Sequence, residues 1–212
     1  MFDFFQQHRL LLAPMAGVSD EAFRALCREQ GADLAYTEMV SAKGLSFANE
    51  KTRRLLALAP DEDQVAVQLF GHEPDVMARE AGWIEDEMGE ALAYLDVNMG
   101  CPARKIVSKG DGSALMKEPE LAASIVRAVA SAVEHPVTVK FRRGWALGDE
   151  TAPAFARRME DAGAAAVVDG LTVKSKAAGL YAYGTLDVKR AVVQATEWAI
   201  CANDSCNVTL GE

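Results

Sequence analysis

Several short runs in this chain are apolar on consecutive residues, where a one-sided strand would be apolar only on alternate ones: Gln64 to Phe70 (QVAVQLF), Tyr94 to Met99 (YLDVNM), Val137 to Phe141 (VTVKF) and Ala165 to Asp169 (AAVVD). Runs of that length and character read as strands buried on both faces, which is the mark of a parallel sheet. Amphipathic stretches separate them: Glu21 to Gln30 with Ser19-Asp20 as its N-cap, Pro74 to about Met88, Glu118 to Val133, Thr151 to Ala162 and Asp187 to Thr196. Adding Leu10 to Met15, Leu34 to Met39 and Trp198 to Ala202 makes seven strands alternating with helices. No Gly-x-Gly-x-x-Gly turn opens a helix, so the pattern favours a TIM-type (β/α)8 barrel over a dinucleotide-binding sheet. The eighth strand is not visible. The first and seventh strands would then be unpaired edges, and the expectation is self-association through them.

Three positions break the apolar pattern. Gln68 is a buried amide that either finds partners in neighbouring backbone or faces a ligand, and Lys140 lies near the C-terminal end of its strand, where burial demands an anion or an open mouth. Cys101 follows the fourth strand in Asn-Met-Gly-Cys-Pro, where Gly100 is expected to permit a tight turn and Pro102 to fix the exit. It is either a small buried hydrophobe or a presented thiol. Glu38 ends the second strand, so that Glu38, Gln68, Cys101 and Lys140 gather on the rim where barrels carry their chemistry. The segment Val40 to Ala59 reads as a long loop with a basic cluster, Lys51, Arg53 and Arg54.

Composition bounds the partners. With 31 acidic against 22 basic residues, a formal charge of −9, the surface as a whole has the wrong sign for gripping phosphates. A nucleic-acid contact would be local, through Arg104, Lys105 and Lys109 after the cysteine, joined by Arg142 and Arg143. The four cysteines are scattered, with no C-x-x-C pair and no histidine at ligand spacing, which argues against a metal site and a disulfide framework. No apolar run is long enough to span a membrane and the N-terminus lacks a secretion signal, so a cytoplasmic location with no membrane partner is expected.

Leu12-Ala13-Pro14-Met15-Ala16-Gly17, Gln68-Leu69-Phe70-Gly71, Asp96-Val97-Asn98-Met99-Gly100-Cys101-Pro102 and Val139-Lys140-Phe141-Arg142, together with the Lys109-Gly110-x-Gly112-Ser113-Ala114-Leu115-Met116 run, resemble the tRNA-dihydrouridine synthases, which are flavoproteins on a TIM barrel. The resemblance is close from about Leu10 to Val168. It implies FMN as cofactor, NADPH as reductant and tRNA as substrate. It also implies that Pro14, Met15 and Ala16 lie against the flavin ring, that Gln68 and Lys140 hydrogen-bond its polar edge, and that Asn203 helps hold its phosphate. By the same resemblance Asn98 and Arg142 hold the uracil, with Arg104 and Lys105 nearby on the RNA. Reduced FMN would deliver hydride to C6 of the base and Cys101 would supply the proton at C5.

The resemblance fades over residues 170–212 of what reads as a single domain. Asp169-Gly170-Leu171-Thr172 stands where the family has His-Gly-Arg-Thr, and Ala202-Asn203-Asp204-Ser205 where it has Gly-Asn-Gly-Asp. The family's eighth strand and C-terminal helical domain have no counterpart. The alternative reading is therefore a truncated paralogue that keeps the barrel without the catalysis and acts as a binding protein.

Overall fold

The computed structural model describes residues 1–146 and 151–170. The helix expected at Asp187 to Thr196, the strand at Trp198 to Ala202 and Asn203 lie outside them. The described strands are β1 (Leu11–Leu12), β2 (Leu34–Ala35), β3 (Val40–Ser41), β4 (Val65–Phe70), β5 (Leu92–Met99), β6 (Val137–Arg142) and β7 (Ala166–Gly170). All pair in parallel: β1 with β2, and β3 through β7 in chain order. A bridge from Tyr36 to Ala66 joins the two sets. The result is one curved α/β array of parallel strands in sequential order, the wall of a TIM-type barrel.

The described α-helices are α1 (Phe2–Gln7), α2 (Glu21–Glu29), α3 (Ala42–Ser46), α4 (Glu50–Arg53), α5 (Pro74–Met88), α6 (Arg104–Val107), α7 (Pro119–Ala132) and α8 (Ala152–Asp161). Capping explains where the regular ones begin. Asp20 accepts from the Phe23 N–H at the start of α2, and proline occupies the first turn of α5, α7 and α8, where its missing N–H costs nothing.

Register sorts the side chains into two environments. Val65, Val67 and Leu69 of β4, Leu95, Val97 and Met99 of β5, and Val137, Val139 and Phe141 of β6 belong to the main core, packed with Met77, Ile84, Ile125, Val126, Phe155 and Met159 of the outer helices. The alternate positions face inward. At the lower end they are aromatic: Tyr36 and Tyr94 meet edge to face, with centroids 5.6 Å apart, and Phe4 and Phe5 of α1 close against Tyr94. Higher up they are polar. Gln68 pairs in register with Asp96, Asp96 with Thr138, and Asn98 with Lys140.

The structure corrects the sequence reading in four places. The N-terminal segment, for which the sequence reading offered no element, forms α1, whose Phe4 and Phe5 close the lower end of the barrel. Leu10 to Met15 is strand for only two residues, since the chain turns away at Met15, whose carbonyl accepts from the Val18 and Ser19 N–H groups. The strand expected over Leu34 to Met39 is reduced to β2, which pairs with β1, and the Tyr36 bridge to Ala66, while β3 begins beyond it at Val40 and pairs with β4. The long loop Val40 to Ala59 holds β3, α3 and α4, each helix capped by a side chain, Ser41 for α3 and Asn49 for α4.

Candidate active site

Asn98, near the C-terminal end of β5, folds the exit of its strand. Its Oδ1 accepts from the backbone N–H groups of Gly100 at 3.2 Å and Cys101 at 3.0 Å. The tight turn expected of Gly100 is made by this carboxamide, and Gly100 is absent from the left-handed region. A Cβ at Gly100 would sit 3.5 Å from the Phe141 backbone and 3.6 Å from Arg142 Cγ, ordinary contact distances that set the turn against the end of β6. Cys101 is half-buried and its sulfur is in no disulfide.

The other side of the turn is closed by the segment after α6. The Ser113 N–H donates to the Cys101 carbonyl at 3.0 Å. Gly112, at φ +60°, packs so closely that a Cβ would lie 2.8 Å from the Cys101 carbonyl oxygen and 3.1 Å from Cys101 Cβ. No other residue fits that position without moving the cysteine. Beside it, Asp111 Oδ1 lies 2.7 Å from His72 Nδ1, and Lys43 pairs with Glu73 at 2.8 Å, so the loops after β3, β4 and β5 are tied together along the rim. Lys117 lies 3.6 Å from the Trp145 ring centroid, which adds the loop after β6 to the same face.

Inside the mouth lies a continuous polar chain. Thr138 Oγ1 donates to Asp96 Oδ1 at 2.6 Å, Gln68 Nε2 donates to Asp96 Oδ2 at 2.6 Å, and Asn98 Nδ2 donates to Gln68 Oε1 at 2.7 Å. Asp96 and Thr138 are fully buried and Gln68 nearly so. Gln68 therefore finds its partners in side chains, where the sequence left neighbouring backbone and ligand as the alternatives. Desolvation pushes the Asp96 carboxyl up to about 6, against the hydrogen bonds from Gln68 and Thr138 and the charge of Lys140, which favour the anion.

That shift carries a stability consequence. The native state holds a proton on Asp96 between about pH 4 and 6 where the unfolded chain has lost it, so this group's contribution to stability falls as pH rises through that window. Above it the ionised carboxylate costs roughly 2–3 kcal/mol. Asp96→Asn is expected to stabilise the protein by about 2 kcal/mol at pH 8 and by little at pH 4. Urea denaturation at the two pH values checks this, and equal losses at both would show that the isosteric amide disrupts the chain for other reasons.

The residues singled out in the sequence are thus distributed unevenly. Gln68, Asn98 and Cys101 form one hydrogen-bonded run, Lys140 is the register neighbour of Asn98, and Arg142 stands beside Gly100. Arg104 and Lys105 are exposed on α6, immediately after the cysteine. Pro14 and Met15 are half-buried and Ala16 exposed, in a turn held by Ser19 at the Met15 N–H and by the Glu38 carboxylate at the Gly17 N–H. Asp96, Asp111 and His72 were missed. Asp96 was detectable, because an acid within an apolar run is as anomalous as Gln68 or Lys140. The His72–Asp111 contact joins residues 39 apart and leaves no local trace.

Residues 11–181 match the family described as dihydrouridine synthase. The chain is 38% identical to tRNA-dihydrouridine synthase B of Xanthomonas axonopodis pv. citri over 187 residues, covering 88% of this chain and 55% of that protein. It is 38% identical over 198 residues to the protein of the same name from Shewanella oneidensis, covering 93% and 60%, and 40% identical over 185 residues to that of Pseudomonas syringae pv. tomato, covering 86% and 54%. The chain therefore spans little more than half the length of these relatives.

Proposed function

Because the chain belongs to the dihydrouridine synthase family, we propose that it provides the FMN-binding barrel of an enzyme that reduces uridine in tRNA to 5,6-dihydrouridine, with NADPH as reductant. The observation that carries this reading is the Cys101 turn. Cys101, half-buried, stands at the end of β5, its backbone N–H held by Asn98 and its carbonyl by Ser113, on the same rim as Lys140 and Arg142.

The residues present fit a flavin and a uracil. Gln68 and Asn98 each keep an N–H beyond those spent on their neighbours, which suits the carbonyl-rich edges of both rings. Lys140 would stand at the flavin's polar edge, where a cation favours the reduced, anionic form. Pro14, Met15 and Ala16 would pack on the ring, and Asn203 would serve the phosphate. When bound, FMN supplies hydride for C6 of the base. Cys101 would give its proton to C5, Asn98 and Arg142 would orient the uracil, and Arg104 and Lys105 would meet the phosphate backbone of the RNA. The uridine must leave its stack to reach the site.

A second reading, a binding protein that has lost catalysis, is favoured by one feature: Asp169 introduces an anion where the family has a histidine near the flavin phosphate. Incubating the chain with FMN, NADPH and unmodified tRNA separates the two. A gain of two hydrogen atoms in a uridine, seen by mass spectrometry and dependent on both cofactors, supports the enzyme. Unchanged tRNA from a protein that stays colourless supports the second reading.

A further inference from the structure

Asp96 is a buried acid that no step of the proposed reaction uses. Both of its carboxylate oxygens are occupied, Oδ1 by the Thr138 hydroxyl and Oδ2 by Gln68 Nε2. The second contact decides which way the Gln68 amide points, since only its NH2 end can face a carboxylate. Gln68 Oε1 is thereby turned to Asn98 Nδ2, and Asn98 in turn must aim its own oxygen at the Gly100 and Cys101 N–H groups. Each orientation follows from the one before it.

The hydrogen-bonding capacity left over is lopsided. Asn98 Oδ1 already takes two N–H groups and Gln68 Oε1 takes one, while each NH2 has spent only one of its two hydrogens. Among the described residues, two donors remain against a single lone pair.

We propose that Asp96 is a positioning residue: through Gln68 and Asn98 it holds an array of N–H donors that meets its ligand through acceptor atoms, and it sets the turn that carries Cys101. The identity of that ligand, the carbonyl edge of a flavin or a uracil, rests on the functional reading above, whereas the orientation of the two amides does not. Burial disfavours the charged form of Asp96, and the titratable groups that face it among the described residues are two tyrosines and one lysine. Tyr36 and Tyr94 lie below it on the inner wall, and Lys140 from β6 supplies the cation that favours its charged form.

The test reads the side-chain amide signals of the full chain by NMR without added ligand, together with FMN affinity in a double-mutant cycle. The Gln68 and Asn98 NH2 signals, identified by their loss in Gln68→Met and Asn98→Ala, are expected to titrate together near pH 6 and to stop doing so in Asp96→Asn. Asp96→Leu should weaken FMN binding about tenfold in the wild-type background and less than about twofold in Gln68→Met. If Asp96→Leu does not fold, the amide titration of the isosteric Asp96→Asn carries the test. Amide signals indifferent to both pH and Asp96→Asn would overturn the proposal whether or not flavin binds, and additive losses in the cycle would reduce Asp96 to packing. A wild-type chain that binds no FMN would sink the functional reading, while the amide titration would still decide the role of Asp96.

Discussion

Cys101→Ala is expected to bind FMN within about twofold of the wild type and to reduce uridine at least a hundredfold more slowly, the scale of a lost general acid. The separation follows from how the turn is built. Cys101 is held by its backbone, through its N–H to Asn98 and its carbonyl to Ser113, so removing the sulfur leaves the turn and the amides of Gln68 and Asn98 in place. On the proposed reading, only the proton for C5 would be lost. Flavin absorbance and dihydrouridine formation, measured on the same preparation, check both halves of this statement. A variant that loses its flavin would show the cysteine to be a packing residue, and one that keeps full activity would move the acid elsewhere.

The second large effect concerns stability. Arg24 on α2 is fully buried and meets Glu62 through two nitrogens, Nε at 3.0 Å from Oε1 and Nη2 at 2.7 Å from Oε2. Its remaining donors reach the Ser19 carbonyl at 3.1 Å and the Ala57 carbonyl at 2.6 Å, while Glu62 also accepts from the Ala59 N–H. This cluster pins the long segment between β3 and β4 against α2, behind the turn that carries Pro14 to Ala16. Arg24→Met leaves an uncompensated carboxylate in the interior and should cost about 3–5 kcal/mol, whereas Arg24→Met with Glu62→Leu should recover most of that loss. Chemical denaturation of the single and double variants decides it. A single variant within about 1 kcal/mol of wild type would mean that water reaches Glu62.

Much of this molecule could be read from its sequence because its later strands are buried on both faces and its later helices open on proline. For β4 to β7, α5, α7 and α8, the hydrophobic runs and caps agree with the structure to within a residue or two. The early part resisted for physical reasons. β1, β2 and β3 are two residues each, too short for periodicity to register, and α1 owes its existence to the aromatic layer it covers.

The site shows the same division. Gln68 and Lys140 announced themselves as polar residues in apolar runs, and Cys101 by its place after a strand. Asp96 gave the same signal and would have been found by the same rule. Arg24 lies within the amphipathic stretch Glu21 to Gln30, and its burial depends on Glu62, 38 residues away. Its spacing three residues before the buried Cys27 placed it on the inward face, but a charge alone does not disclose its partner.

The proposed function requires that this barrel bind flavin where Gln68, Asn98 and Lys140 lie together. Titrating FMN into the purified chain, with the visible spectrum as the signal, tests that in one measurement. Saturable, equimolar binding is predicted for the wild type and Cys101→Ala, with affinity falling at least about tenfold in Lys140→Ala, which removes the cation from the flavin's polar edge. No binding by the wild type, or an affinity untouched by Lys140→Ala, would contradict it.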